Sequence, residues 1–375
     1  MAEGLIEAAL TATAEAGLPA EALTDKSPSY RIRNRMDAAQ EQLENLKQKI
    51  SQVSLPQEVQ EKLLNLLKFP GTGAEFEKLV SYIDFATSLP FNKSSQDILD
   101  LPRAREILDK NHYGLQSLKD RVLEYLSVLI LHAKSKNTAS FHAPILLFVG
   151  LVGTGKTSIA YSIAEALGRK IVRVPFGGLG DAASLRGQSK IRPDSEPGQI
   201  IKAIKHAQIK NPVILLDEID RVAEEGRVGI MGVLVELLDP AQNQAFTDHF
   251  LDFAFDLSQV LFIATANNTG NIATAVMDRL EPIQMPSYSD EEKTTIGKNY
   301  LLPKALQEAG IDSKLISIEE ATWPNIIRPL GFDGGIRSLQ RSLQAICRKV
   351  ARKAVEGEIG PFKINQENLG EYLSL

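Results

Sequence analysis

Gly150-Leu151-Val152-Gly153-Thr154-Gly155-Lys156-Thr157 has the residue types and spacing needed to hold a polyphosphate. Glycines let successive backbone N–H groups wrap an anion, and a helix starting beside them adds partial positive charge. Lys156 can reach β- and γ-phosphate oxygens, while the Thr157 hydroxyl is placed for Mg²⁺. With Ser158, this run supplies nine candidate nucleotide-binding residues: Gly150, Leu151, Val152, Gly153, Thr154, Gly155, Lys156, Thr157 and Ser158. Asp217 and Glu218 end an apolar run, where an acidic residue can serve a Mg²⁺ shell directly or through water. Glu218 is the better candidate to polarise an attacking water. Two carboxylates at the end of a buried strand are poorly explained as helix caps, a role open to Asp220. Loop and acidic pair together point to hydrolysis of a nucleoside triphosphate.

Three polar residues are weaker signals on their own. Asn267 ends an apolar run and could position water or contact a γ-phosphate, but Asn is also common in turns. Arg279 could neutralise transition-state charge across a subunit interface, or form a surface ion pair with Asp278 or Glu281. Arg337 opens a long helical stretch and could reach back to the nucleotide.

These residues need strands and helices behind them. Ile145-Leu146-Leu147-Phe148-Val149 reads as a buried strand, and Ser158 to Leu167 has helical spacing and stops at Gly168. Further strands are expected at Lys170–Val174, Val213–Glu218, Val260–Ala266 and Glu281–Met285, with helices at Gly198–Gln208, Arg227–Leu238 and briefly near Ala273–Asp278. Apolar strands alternating with helices predict an α/β fold with a five-stranded parallel sheet covered on both faces. The strand ending at Asn267 is expected between the two that carry the other motifs.

The flanking regions read as helical. Residues 1–28 form a tether or short helix, and 29–108 an N-terminal helical region. Within it, Ile32, Met36, Ala39, Leu43, Leu46 and Ile50 make a heptad stripe between Arg31 and Ser51. That stripe fits a coiled-coil-like seam or packing on the next helices, which start near Pro56 and Ala74. Residues 109–287 form the nucleotide-binding domain. From 288 to 375 the strands stop, and Asp290–Leu302, Ile318–Arg328 and Ile336–Val355 give a small helical domain with a short terminal helix.

A 375-residue chain with 43% hydrophobic and 24% charged residues has room for two or three cored domains. A net charge of −5 gives no general pull towards nucleic acid or anionic membrane. Apolar runs are too short for a membrane span, and Met1-Ala2-Glu3-Gly4 lacks the start of a signal peptide. The single cysteine, Cys347, excludes an internal disulfide framework, reads as core packing and fits a reducing cytoplasm. The five histidines show no metal-ligand spacing.

The phosphate loop, Leu216-Asp217-Glu218-Ile219-Asp220, Ile263-Ala264-Thr265-Ala266-Asn267, Asp278-Arg279 and Gly335-Ile336-Arg337 together resemble the motif series of AAA+ ATPases, which share the P-loop NTPase core. More narrowly, the chain resembles the ATPase module of Lon proteases from about Leu55 onwards. Asp109 to Leu115, Leu238 to Asn243 and Phe246 to Phe250 are similar to that family's connecting segments. The resemblance implies ATP and Mg²⁺ as cofactors, a C-terminal helical lid, and a homo-oligomeric ring, hexameric in the family. It implies His112 and Tyr113 near the adenine, Lys156 and Thr157 at phosphates and Mg²⁺, and Asp217 and Glu218 serving metal and water. It makes Asn267 the first sensor, Arg279 the finger offered to a neighbouring subunit, and Arg337 the second sensor.

Departures from the family pattern set the functional alternatives. Asn365 to Leu373 resembles the junction to the family's peptidase, and the remaining residues leave no room for that domain. Arg192 and Pro193 stand where the substrate-gripping loop has an aromatic and an aliphatic residue, and Gly226 to Ile230 lacks the aromatic of the second loop. Flat aromatics grip any polypeptide by apolar contact, whereas an Arg–Pro pair suits acidic or specific surfaces. The leading expectation is a cytoplasmic, Lon-type AAA+ ATPase, with no peptidase site in these residues, that remodels or regulates protein partners. The alternatives are the motor of a split protease paired with a separate peptidase chain, and an ATP-switched adaptor that does not thread substrate.

Overall fold

The computed structural model describes residues 28–71, 73–134, 144–192, 194–328 and 334–373, with side chains from Gln40 onwards. Residues 1–27 of the tether expected at 1–28, and Pro193, lie outside the described residues. The chain divides into two compact units between Phe91 and Asn92.

The first unit holds α1 (Pro28–Gln52), α2 (Gln57–Leu66) and α3 (Ala74–Thr87). Leu46 and Ile50, the last members of the heptad stripe, are buried, as are Val59, Leu63, Tyr82 and Ile83. α1 packs on α2 and α3, so this part of the stripe covers its own neighbours. Ile32, Met36 and Ala39 fall among residues whose side chains are outside the described set.

The second unit begins with α4 (Leu101–Asn111) and α5 (Gln116–Lys134). Asp100 caps α4 by accepting the Arg103 N–H, and Pro102 occupies the first turn, where its missing N–H costs nothing. β1 (Ile145–Val149), α6 (Lys156–Leu167) and β2 (Ile171–Pro175) follow. α4 packs on α6, and Ala104, Ile107 and Leu108 share one core with Ile159, Ile163 and the strands. The unit that contains the sheet therefore starts at Asn92, ahead of the boundary expected at 109.

Next come the short α7 (Ala183–Arg186), α8 (Gln199–Ala207), β3 (Val213–Asp217) and α9 (Arg227–Leu238). A hairpin, β4 (Phe246–Asp248) with β5 (Phe253–Phe255), precedes β6 (Leu261–Ala266), α10 (Thr274–Met277) and β7 (Leu280–Gln284). The central sheet has five parallel strands in the order β2-β3-β6-β1-β7. β6 lies between β1 and β3, as expected. β3 and β6 are buried along their whole length, because helices cover both faces.

The lid contains α11 (Asp290–Ile296), α12 (Leu302–Ala309), β8 (Ile316–Ile318), α13 (Trp323–Ile327), α14 (Arg337–Val355), β9 (Phe362–Ile364) and α15 (Leu369–Tyr372). A π-helical turn, Gly297–Leu301, joins α11 to α12. The strands do not stop after Pro286: β8 and β9 pair in parallel, and the helix expected at Ile318–Arg328 shrinks to α13. Pro324 in the first turn of α13 lacks the N–H that would continue a helix from upstream. Leu339, Leu343, Ile346, Cys347 and Val350 form the buried face of α14, so Cys347 serves the lid core. Each fully buried aliphatic side chain of this kind contributes roughly 1.5–3 kcal/mol. No helix among the described residues is long and apolar enough to cross a membrane.

Candidate nucleotide and metal site

β1 delivers the phosphate loop to the carboxyl edge of the sheet. The Gly150 N–H donates to the Ala266 carbonyl at 3.2 Å, tying the loop to β6. A Cβ on Gly150 would lie 2.8 Å from the Met285 carbonyl oxygen, so the position accepts no side chain without movement. Gly153 and Gly155 have φ of 84° and 100°, a region that glycine enters at little cost. α6 starts at Lys156, directly after this turn, so its free N–H groups face the loop.

Lys156 is buried. Its ammonium donates to the Gly150 carbonyl at 2.7 Å, the Leu151 carbonyl at 2.9 Å and Asn267 Oδ1 at 3.1 Å. Burial lowers its pKa most, Arg337 adds to that, and Asp220, Glu218 and Asp217 pull it up. A buried cation held mainly by neutral carbonyls gains from a polyanion placed beside it. Asn267 Nδ2 is buried and has no hydrogen-bond partner, so the far side of this amide has an unused donor.

Asp217 meets side chains from three other elements, β6, α6 and β2. Its Oδ1 accepts the Thr265 hydroxyl at 2.5 Å and lies 3.4 Å from the Thr157 hydroxyl. Its Oδ2 accepts from Arg173 at 2.6 Å. Glu218 follows in a left-handed conformation, φ 58° and ψ 50°, and its N–H donates to Thr265 Oγ1 at 2.9 Å. That backbone costs on the order of 1–2 kcal/mol for a residue with a Cβ, and the Thr265 bond helps to hold it. The Glu218 carboxylate lies 3.7 Å from Arg221.

The lid meets the loop through main chain. The Ile336 N–H donates to the Gly153 carbonyl at 3.1 Å, and a Cβ on Gly335 would stand 2.3 Å from the Val152 carbonyl oxygen. Tyr288 donates its hydroxyl to the Thr154 carbonyl at 3.3 Å. Arg337 is thereby held against Gly153, its Cγ 3.2 Å from where a Cβ there would be.

A cavity of about 210 Å³ opens between loop and lid, lined among others by Lys156, Thr157, Asp217, Glu218 and Arg337. Ser158 also lines it, whereas Gly150, Leu151, Thr154 and Asn267 do not; Gly150, Leu151 and Asn267 reach it through Lys156. His112, Tyr113 and Arg279 do not line it. His112 is buried, with Nε2 2.9 Å from Ser162 Oγ on α6, and burial, aided by Lys119, pushes its pKa from 6.5 down to about 4. Tyr113 is partly exposed, its ring 6.4 Å from that of Tyr300. Arg279 pairs with Asp239 at 2.8 Å and donates to the Ala275 carbonyl at 2.7 Å. Its partner is thus neither Asp278 nor Glu281; Glu281 is engaged by Arg121 at 2.9 Å.

The donor set fits a nucleotide with a hard divalent cation. Thr157 and Asp217 offer oxygen only, and no group of three or more His, Cys, Asp or Glu placed to hold a metal ion by itself occurs among the described residues. That matches Mg²⁺, which takes one or two protein oxygens and completes its shell with phosphate and water. Sequence reasoning missed Thr265, Arg173 and Gln340, the last of which lines the cavity. Thr265 had a readable signal, as the one hydroxyl in the otherwise apolar β6. Arg173 had another, as a charge in the middle of an apolar strand.

Fold and site together define a P-loop ATPase domain with a helical lid. Residues 146–288 match the family model of the "ATPase family associated with various cellular activities (AAA)", and residues 307–362 that of the "Lon protease AAA+ ATPase lid domain". The chain is 42% identical over 341 residues to Lon protease of Lawsonia intracellularis, covering 90% of this chain and 40% of that protein. It is 41% identical over 363 residues to Lon protease 2 of Thermus thermophilus, covering 92% of this chain and 45% of the relative. Lon protease of Clostridioides difficile is 39% identical over 359 residues, with 92% and 45% covered. The chain belongs to the Lon protease family and corresponds to its AAA+ ATPase module. It spans less than half the length of these relatives.

Proposed function

We propose that this chain binds ATP with Mg²⁺ and hydrolyses the terminal phosphoanhydride. The observation that carries the reading is the convergence of Lys156, Thr157, Asp217, Glu218 and Arg337 on one cavity at the carboxyl edge of the sheet. Backbone N–H groups of the loop and the start of α6 hold phosphate oxygens, and Lys156 neutralises their charge. Thr157 and Asp217 hold the Mg²⁺, which when bound offsets the charge of the polyphosphate. Glu218 accepts a proton from the attacking water, with Asn267 orienting water or γ-phosphate. Arg337 ties the lid to the occupied loop. His112 and Tyr113 belong to the adenine side.

Arg279 lies outside the cavity of its own chain and is partly exposed, which supports a role across an interface in a homo-oligomeric ring. The ring acts on protein partners. The exposed Ile191 and Arg192 in one loop, and the exposed Val228 in the first turn of α9, favour recognition of particular surfaces over indiscriminate gripping. Phosphate release from ATP should require Mg²⁺ and disappear in Lys156→Ala. Absence of turnover at every protein concentration would refute the hydrolytic reading.

A further inference from the structure

Arg173 stands in the middle of β2, the edge strand that pairs with the strand carrying Asp217. Its Nε donates to Asp217 Oδ2 at 2.6 Å, and a terminal guanidinium nitrogen lies 2.6 Å from the same oxygen. The other oxygen, Oδ1, is turned towards the Thr265 and Thr157 hydroxyls. The carboxylate is therefore divided: one oxygen faces the metal-binding side and the other is taken up by a guanidinium. Exposure is divided in the same way, with the Asp217 side chain 5% exposed and that of Arg173 50%. A buried carboxylate stripped of its cation is poorly stabilised and will draw in another cation. A fixed guanidinium a few ångströms away also repels an arriving divalent ion.

We propose that Arg173 is a built-in counter-ion for Asp217, a positioning residue that limits it to the metal shell through Oδ1 and sets the Mg²⁺ concentration the site demands. The proposal rests on the reading of the cavity as a nucleotide and Mg²⁺ site. Glu218 needs no such partner across the sheet, because its nearest cation, Arg221, is its own neighbour at 3.7 Å. Arg173 thus acts on the metal side of the site and not on the water side.

The test is equilibrium binding of a fluorescent ATP analogue to the full chain, titrated with Mg²⁺ and repeated in EDTA. Arg173→Gln keeps hydrogen-bond donors but loses the charge, and should lower the Mg²⁺ half-saturation point by about fivefold to tenfold. Arg173→Lys keeps the charge with a different donor geometry and should shift that point by less than about threefold. Binding in EDTA should be the same for all three proteins. A half-saturation point in Arg173→Gln equal to or above that of the wild type would overturn the proposal. So would loss of EDTA-resistant binding in both variants, which would make Arg173 a folding residue. Failure of the wild type to bind nucleotide under either condition would sink the underlying nucleotide reading as well.

Discussion

The two ends of the central sheet carry cavities of different kinds. At the carboxyl edge, about 210 Å³ is enclosed by the phosphate loop, the acidic pair and the lid. At the opposite edge a larger space of about 530 Å³ is lined by Asp97, Arg169, Asn211 and Gln259 among others. In the larger cavity the strongest polar groups already serve each other. Arg169 forks onto both Asp97 oxygens at 2.7 Å, and Asn211 accepts from the Ser95 N–H at 2.8 Å and donates to its carbonyl at 2.9 Å. In the smaller one Lys156 is held mostly by neutral carbonyls, and the Asn267 amide beside it keeps an unused donor. Volume does not mark the site; uncommitted charge and unused donors do.

The sharpest way to break that contrast is at Glu218. Glu218→Gln should cut phosphate release by roughly 10³-fold while nucleotide binding, read by fluorescence titration, stays close to wild type. A matching loss of binding would mean that Glu218 serves the fold and not the water. Arg279→Ala should reduce turnover by about 100-fold or more. Mixing it with Lys156→Ala should restore part of the turnover, since each chain then supplies what the other lacks. No recovery at any mixing ratio would place Arg279 in its own chain's structure.

His112 packs against α6 through Ser162 and offers a stability readout. With its pKa down at about 4 against an ordinary 6.5, the unfolded chain binds a proton across that range that the folded chain does not. Stability is therefore complete above about pH 6.5 and falls as the pH drops towards 4, by roughly 3 kcal/mol in all. His112→Gln should flatten this slope, as measured by urea midpoints at pH 7 and 5. The smallest functional effect is expected at the larger cavity. Asp97→Asn should lower stability by about 2 kcal/mol by leaving Arg169 half-paired, yet leave turnover unchanged below the unfolding range. A clear drop in turnover would show that the larger cavity takes part in the chemistry.

The phosphate loop and acidic pair were legible because each is contiguous: spacing, glycine content and an apolar lead-in sit within a few residues. The position of Asn267 followed from parallel-sheet logic, and β6 does lie between β1 and β3. Thr265 and Arg173 were not legible as partners of Asp217, since they arrive from strands 48 and 44 residues away and meet it only through sheet register. The lid strands escaped for another reason. β8 and β9 are three residues each, too short for alternation to stand out, and their pairing joins segments far apart in the chain. The hairpin β4–β5 shows buried Phe246, Asp248, Phe253 and Phe255, but three-residue strands around a tight loop give an equally weak signal. Arg279's pairing with Asp239 likewise depended on how the end of α9 comes to lie beside α10.

The joint between loop and lid is main chain on both sides, with Ile336 bonded to the Gly153 carbonyl and Gly335 pressed on Val152. Side-chain exchange at these positions cannot soften such a joint gradually; it either closes or is wedged apart. α14 springs from this point as an arm of 19 residues, about 28 Å long at the usual rise per residue. A tilt of about ten degrees at the joint would sweep its far end through about 5 Å, the width of a helical turn. A displacement of atomic size at Gly153 would by this geometry be magnified along α14 to the size of a helical turn at its far end.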